Sequence, residues 1–239
     1  MEYLKPILMC ALFLAGAALT CALLLYVGDR LSIRALRRSP SLDEDSVAAL
    51  LSLEFGTGGL YLSRWFPVRS PRGTLYEPVP FILVRGRNIF VITVHSVSGI
   101  IDNTDAEAWR VSISMQNGKK KTISVKNPVY AAEKQADVLR ALFAKVGLPF
   151  PISVEPIAVI TAKHHKLLHP SQAGLGVLPE AIAHIRESLP PKPSDKRRLK
   201  QIQTALRRDE EIILRVLRRY SLPRAKAIAK INALRQKKK

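Results

Sequence analysis

The longest apolar run of the chain lies near its N-terminus, where residues Ile7 to Val27 contain no charged side chain. A helix of this length extends about 32 Å, which is enough to cross the hydrocarbon layer of a bilayer. A cleaved signal peptide is the alternative, because Ala15-Gly16-Ala17 offers a small-residue cleavage site. The apolar run continues well beyond that site, so the pattern favours a retained transmembrane anchor over residues 1–30.

The charges beside this segment predict its orientation. Lys5 stands nearly alone before it, whereas four arginines follow it closely: Arg30, Arg34, Arg37 and Arg38. Basic residues that flank a membrane span stay preferentially on its cytoplasmic side. We therefore expect a single-pass membrane protein, with a basic juxtamembrane linker over residues 31–42 and with its C-terminal bulk in the cytoplasm.

Residues 43–189 alternate between helical and strand-like patterns. A helix is predicted after Ser41, which serves as its N-cap while Glu44 completes a capping box. Another helix begins at Asn127-Pro128. Between and after them, short runs of β-branched and aromatic residues predict strands at Tyr61–Val68, Phe81–Val84, Ile89–Val94, Val111–Met115, Thr122–Val125 and Ile157–Thr161. This order predicts an α/β domain with a central mixed sheet flanked by helices.

The pattern changes again at Pro190-Pro191-Lys192-Pro193, which separates a predicted helical tail over residues 190–239. Apolar residues recur at helical spacing from Leu199 to Tyr220 and again from Ile228 to Leu234. Leu222-Pro223 lies between the two periodic stretches and separates them. We therefore predict two basic helices.

The charge balance of the tail changes the functional picture. The whole chain carries a formal charge of +19, and its last fifty residues hold 17 Lys and Arg against four Asp and Glu. Such a concentration of positive charge indicates a polyanionic partner, either nucleic acid or an anionic membrane surface. A third interpretation stays open, in which the tail packs its Leu/Ile face on the core and leaves its charges in solvent.

Several segments in one order resemble the nuclease-related domain (NERD) family, a branch of the restriction-endonuclease-like fold. The resemblance extends from about Asp43 to Lys163. It rests on Glu44, Val79-Pro80-Phe81-Ile82, Ile92-Thr93-Val94-His95, Ser98-Gly99, Trp109, Asn127-Pro128 and Gln135. In active members, the strand that matches Val79-Pro80-Phe81-Ile82 carries a metal-binding Asp. The strand that matches Ile92-Thr93-Val94-His95 carries a Glu-x-Lys triplet.

The resemblance implies a catalytic site whose residues are replaced in this chain. Pro80 stands at the position of the Asp, Thr93 at that of the Glu and His95 at that of the Lys. The two carboxylates of an active member hold a divalent metal ion beside the scissile phosphate. Only Glu44 remains of the acidic set, and Mg²⁺ requires several hard oxygen ligands. We therefore predict a non-catalytic domain without a cofactor.

Two other sets of side chains could provide ligands for a metal ion. Glu77, Asp102 or Asp105 would serve as displaced ligands if the domain were a Mg²⁺-dependent nuclease. His165 and His169 would face the same way on a helix and could then bind a transition metal. Lysines flank them and no acidic or thiol ligand is nearby, so a polar loop after a strand is the favoured interpretation.

The expected function is therefore that of a membrane-anchored, catalytically degenerate nuclease-related domain protein that binds or scaffolds. Nucleic acid or another acidic partner is the expected target. The alternatives are a metal-dependent nuclease with displaced ligands and a membrane protein that binds only proteins or lipids. A salt-dependent affinity for nucleic acid would distinguish the binding protein expected here from a membrane protein that binds only proteins or lipids.

Overall fold

The computed structural model describes Thr20 and residues 42–70, 73–96, 98–114, 118–162, 164–169, 174–188 and 196–236. The predicted membrane anchor and most of the juxtamembrane linker lie outside these ranges. Among the described residues, no helix is both long enough and apolar enough to cross a bilayer. The chain divides into two compact units at Pro40, and everything described below belongs to the second unit, Ser41–Lys239.

Five helices and ten strands make up the described part of this unit. The helices are α1 (Glu44–Phe55), α2 (Pro128–Val146), α3 (Leu178–Glu187), α4 (Lys196–Tyr220) and α5 (Arg224–Gln236). The strands are β1 (Leu60–Ser70), β2 (Gly73–Arg85), β3 (Asn88–His95), β4 (Gly99–Asp102), β5 (Ala108–Ser114), β6 (Lys120–Lys126), β7 (Ser153–Ile160), β8 (His165–Leu167), β9 (Leu175–Val177) and β10 (Leu222–Pro223).

The strands form two mixed sheets. The larger has six strands in the order β10-β1-β2-β3-β7-β9, and the smaller has four in the order β6-β5-β4-β8. Strands β3, β7 and β9 run parallel to one another, as do β4 and β8, while the other neighbours are antiparallel. The predicted α/β class with mixed sheets and flanking helices is confirmed. The prediction of one central sheet is wrong, because β4, β5, β6 and β8 pair separately from β3.

The N-cap of α1 also differs from the prediction. The helix begins at Glu44, and the residue before it, Asp43, has extended backbone angles. Its carboxylate accepts a hydrogen bond from the Ser46 amide at 2.9 Å, which satisfies one of the free amides of the first turn. Asp43 therefore takes the role that we predicted for Ser41.

The core lies on both faces of the larger sheet, so that β3 is apolar on both sides. Ile89 and Val91 face a cluster that includes Leu139 of α2, while Phe90 and Ile92 alternate with them and are equally buried. A parallel strand covered on two faces has this continuous apolar sequence. The predicted strand Ile157–Thr161 lies in β7, beside β3, and is buried for the same reason.

The C-terminal helices belong to the same compact unit. Ile213, Leu214 and Leu217 of α4 are buried in the cluster that contains Leu139. The short strand β10 then extends the sheet by pairing with β1, which places Leu222 opposite Trp65. The predicted division at residue 190 therefore separates segments that share one core, since the apolar face of α4 is covered by the sheet.

Two acidic residues hold α4 on the turn between β2 and β3. Glu210 accepts a hydrogen bond from the Gly86 amide at 3.1 Å, and Arg87 donates to Asp209 at 2.8 Å. Gly59 lies beside Glu210 and the end of β2. A Cβ atom on Gly59 would come within 3.2 Å of Glu210 Oε1 and within 2.4 Å of the Val84 carbonyl oxygen. The turn, the start of β1 and the middle of α4 are thus packed closely together.

Candidate functional site

The positions that the resemblance assigns to the family's catalytic residues lie at one edge of the larger sheet, where parallel strands β3 and β7 end. The amide of Thr161, which follows β7, donates to the carbonyl of His95 at 3.0 Å. The Thr161 hydroxyl donates to the carbonyl of Leu42 at 2.6 Å, so the segment leading into α1 reaches the same edge. Ligands of open α/β sheets commonly bind outside the carboxyl ends of such strands. The fold therefore places these residues where a binding site is expected.

Pro80 lies where the pairing of β2 with its neighbours is broken. The pairing of β2 with β3 ends at Phe81 and Ile92, one residue short of Pro80, and the pairing of β1 with β2 passes from Leu62–Phe81 to Arg64–Val79 without a pair at Ser63. Proline has no amide hydrogen to donate to either neighbour. Ser63 adopts a positive φ of 47°, which non-glycine residues rarely do. The strand pairing is thus interrupted at the position of the family's metal-binding Asp.

Thr93 forms a hydrogen bond inside the protein. Its hydroxyl donates to the side-chain oxygen of Gln135, on α2, at 3.0 Å. Gln135 is buried, so this oxygen depends on a protein partner to replace water. A neutral hydroxyl and an amide therefore occupy the place at which the family's carboxylate would lie.

His95 packs against a tryptophan of the smaller sheet. The ring of Trp109, on β5, is fully buried and meets the imidazole edge to face, with 6.2 Å between centroids and an interplanar angle of 90°. His95 Nε2 and Trp109 Nε1 are both buried and have no hydrogen-bond partner among the described residues. Burial lowers the pKa of His95 below its ordinary value of 6.5. The neutral ring therefore replaces the permanent cation that a lysine would supply.

Glu44 is the retained acid, and it is exposed at the first position of α1. Its carboxylate makes no hydrogen bond or ion pair with the other described residues. One free carboxylate, a hydroxyl already bonded to Gln135 and a buried imidazole do not form the oxygen-rich set that Mg²⁺ requires. The residues at these positions therefore do not fit a magnesium ion.

The proposed displaced ligands are not gathered at this edge of the described structure. Glu77 lies opposite Phe66, three pairs along β2 from Pro80. Asp102 accepts hydrogen bonds from the hydroxyl and amide of Thr104, and these bonds lower its pKa. Asp105 accepts from the amides of Glu107 and Ala108, with the same effect on its pKa. Both aspartates thus stabilise the loop between β4 and β5.

The structure does not place the histidine pair on a helix, as the alternative of a metal site would require. Residues His165–Leu167 form β8, which pairs with β4, so His165 and His169 do not lie one turn apart on a helix. His165 Nδ1 lies 2.6 Å from the Ala162 carbonyl, and His169 Nε2 lies 3.7 Å from Asp102. Throughout the part of the chain that the structure describes, no group of three His, Cys, Asp or Glu side chains could hold a metal ion.

Two contacts of the site were not predicted. Gln135 recurs with the apolar residues of α2, and a polar residue on an apolar face is the only signal in the sequence that it needs a buried partner. Thr161 was predicted only as the end of a strand, and its bond to Leu42 joins residues that lie far apart in the sequence. Such contacts follow from the fold and not from local periodicity.

The match to known families covers this edge of the sheet. Residues 68–161 match the family model described as a nuclease-related domain, NERD. The matched segment contains Pro80, Thr93 and His95, whereas Glu44 lies before it. No curated protein and no solved structure matches the chain. The predicted resemblance is confirmed over this segment, in which residues 68–161 match the nuclease-related domain.

Proposed function

We propose that this chain is a membrane-anchored binding protein whose nuclease-related domain does not cleave nucleic acid. One observation carries the proposal. At the edge where the family holds its metal, the Thr93 hydroxyl is bonded to Gln135 and the His95 ring is packed on Trp109. These side chains are engaged in the interior, and Pro80 has no side-chain oxygen to offer.

Cleavage of a phosphodiester by this family requires a metal ion that activates water and stabilises charge on the phosphoryl oxygens. The neutral Thr93–Gln135 pair cannot neutralise such an ion. Neutral His95 would also give little electrostatic stabilisation to an anionic transition state. Retention of the fold together with these replacements supports a role in binding or scaffolding.

The proposed target is a polyanion, with nucleic acid as the first candidate and anionic lipid as the second. The charge of +19 supports both, because Lys and Arg neutralise phosphates of either kind. The apolar segment Ile7 to Val27 supports attachment to a membrane, with the C-terminal bulk in the cytoplasm. A scaffold that binds only an acidic protein remains the third candidate.

A metal-binding measurement tests the loss of catalysis. The full chain in neutral-lipid nanodiscs would be titrated with Mn²⁺, a paramagnetic substitute for Mg²⁺, and free Mn²⁺ would be followed by electron paramagnetic resonance. We expect no saturable site. The matched comparison is the triple variant Pro80→Asp, Thr93→Glu, His95→Lys, which restores the family's residues and whose folding would be checked by circular dichroism.

The displaced-ligand nuclease predicts a different result. Wild-type protein would then bind Mn²⁺, and Glu44→Ala, Glu77→Ala or Asp102→Ala would abolish that binding. A saturable site that is lost in any of these variants would overturn the proposal.

A further inference from the structure

Two arginines converge on one buried tyrosine where α4 meets the edge of the larger sheet. Arg218 of α4 donates from Nε to the Tyr61 hydroxyl at 2.9 Å, and that hydroxyl lies 3.3 Å from the Leu214 carbonyl. The guanidinium carbon of Arg64, on β1, lies 5.1 Å from the centre of the Tyr61 ring. Tyr61 thereby fixes two guanidinium groups on the same side of the domain.

Neither guanidinium is paired with an acid. Within the described ranges, Arg64 and Arg218 form no ion pair, and from Ile212 to the end of the chain the sequence contains no Asp or Glu. The acidic residues Asp209 and Glu210 are committed to the turn between β2 and β3. Two cations held together without a carboxylate favour an anion that accepts hydrogen bonds from both.

The chain around this pair is basic and partly apolar. Arg64 lies opposite Pro223 in the sheet, and α5 begins at the next residue. We call this surface the corner, and it consists of Arg64, Arg218, Arg224, Lys226, Ile228 and Lys230. Ile228 is 42% exposed, so an aliphatic side chain accompanies the positive charges.

We propose that the corner binds the headgroup phosphates of anionic phospholipids at a bilayer surface. Arg64 and Arg218 hold a phosphate, Lys226 and Lys230 contact neighbouring headgroups, and Ile228 enters the acyl boundary. A basic surface with an exposed aliphatic side chain is the pattern of an interfacial membrane element. This proposal rests on the polyanion binding proposed above and assigns the part of it that occurs at the corner to lipid.

The composition of the corner favours lipid over nucleic acid. Proteins that bind single-stranded nucleic acid stack bases on exposed aromatic rings. The aromatic side chains nearest the corner, Trp65 and Tyr220, are half-buried, and Tyr61 itself is buried. A bilayer instead rewards the burial of aliphatic side chains such as Ile228. The predicted anchor would also keep the corner at a high local lipid concentration.

Hydrogen–deuterium exchange of the full chain in nanodiscs tests the proposal. Neutral phosphatidylcholine discs would be compared with discs that contain phosphatidylserine. Exchange across residues 222–236 should slow about tenfold in the anionic discs and recover at high salt. In the double variant Arg64→Gln, Arg218→Gln, exchange in the two kinds of disc should agree within about twofold, because two basic residues are worth about 30-fold in affinity for an anionic surface.

The matched control is Arg207→Gln, Arg208→Gln, which removes the same charge from exposed positions elsewhere on α4. In this control, exchange across residues 222–236 should still be slower in the anionic discs than in the neutral ones. If the two kinds of disc give the same exchange in this control, the assignment to the corner is wrong. Thermal unfolding of both variants would show that they fold.

In a second experiment, a soluble short-chain phosphatidylserine should slow exchange in neutral discs, and inorganic phosphate at the same concentration should not. An equal effect of phosphate would assign the site to a free anion and contradict the proposal.

A nucleic-acid titration in neutral discs separates the failures. If anionic discs have no effect while DNA or RNA binds with a steep salt dependence, the assignment to lipid is wrong and the proposed function stands. If neither polyanion binds, both proposals are wrong.

Discussion

At the residue scale, the hydroxyl of Thr93 and the amide of Gln135 form a neutral pair at the end of β3. A buried side-chain oxygen loses its hydration on folding and depends on the partner that replaces water. Gln135 is buried, and its oxygen accepts from Thr93 at 3.0 Å. The pair therefore contributes to stability at a position where the family places a ligand.

Replacing Thr93 tests this contribution. Thr93→Val keeps the shape of the side chain but leaves the Gln135 oxygen without its donor, which should lower the free energy of unfolding by about 1–3 kcal/mol. Thr93→Ser retains the hydroxyl and should lose less than about half of that amount. Urea denaturation followed by circular dichroism would measure both, and equal losses would show that the hydroxyl is not what matters.

The buried imidazole of His95 predicts a dependence on pH. Burial holds its pKa below 6.5, so at pH values between the folded and unfolded pKa the unfolded chain binds more protons than the folded one. Stability should therefore be highest above about pH 6.5 and fall as the pH is lowered through that range. Thermal unfolding between pH 8 and pH 5 would show this fall in wild type. In His95→Gln the fall should be smaller, and an identical profile would argue against the assignment.

At the scale of elements, the sequence predicted the strands that carry long apolar runs and failed on the short ones. β3, β7 and the Phe81–Val84 part of β2 were identified because both of their faces are buried and their sequences are continuously apolar. β4, β8 and β9 have only three or four residues each, and half-buried side chains give them no periodic signal. Their pairing depends on partners far along the chain, which is why the segment around His165 was predicted as a loop and not as a strand.

The close contact between Gly59, just before β1, and the end of β2 is a second feature at the scale of elements. A methyl group on Gly59 would lie 2.4 Å from the Val84 carbonyl oxygen, whereas one on Gly58 would meet nothing within 4 Å. Gly59→Ala should therefore destabilise the protein by about 1–3 kcal/mol through steric overlap, and Gly58→Ala should have little effect. Calorimetric melting of the pair would measure the difference, and similar melting temperatures would show that the backbones are not in close contact.

At the scale of the whole molecule, the sequence predicted the tail as helical and left its packing on the core as one of three interpretations. The helical spacing of its apolar residues is local, whereas the burial of Ile213 and Leu217 depends on a sheet built more than a hundred residues earlier. The proposed replacement of the family's Asp, Glu and Lys rests on the sequence alone, because it needs only the identities of Pro80, Thr93 and His95. The contacts that engage those side chains required the fold.

The shared core makes the tail indispensable for folding. Leu217→Ala should lower the free energy of unfolding by about 2–5 kcal/mol, because it removes a fully buried side chain. Ile202→Ala, on the same helix but 41% exposed, is the control and should have a small effect. Equal effects in denaturation experiments would show that α4 does not pack as described. Deletion of residues 190–239 should accordingly unfold the domain.

The most direct test of the account is a combined binding and cleavage measurement on the full chain in neutral-lipid nanodiscs. Labelled DNA and RNA would be incubated with Mg²⁺ or Mn²⁺ across a range of salt concentrations, with and without chelator, and each sample would be examined for both bound and shortened strands. The account predicts salt-sensitive binding with every strand intact and no effect of the chelator. Metal-dependent shortening that the chelator abolishes would contradict it.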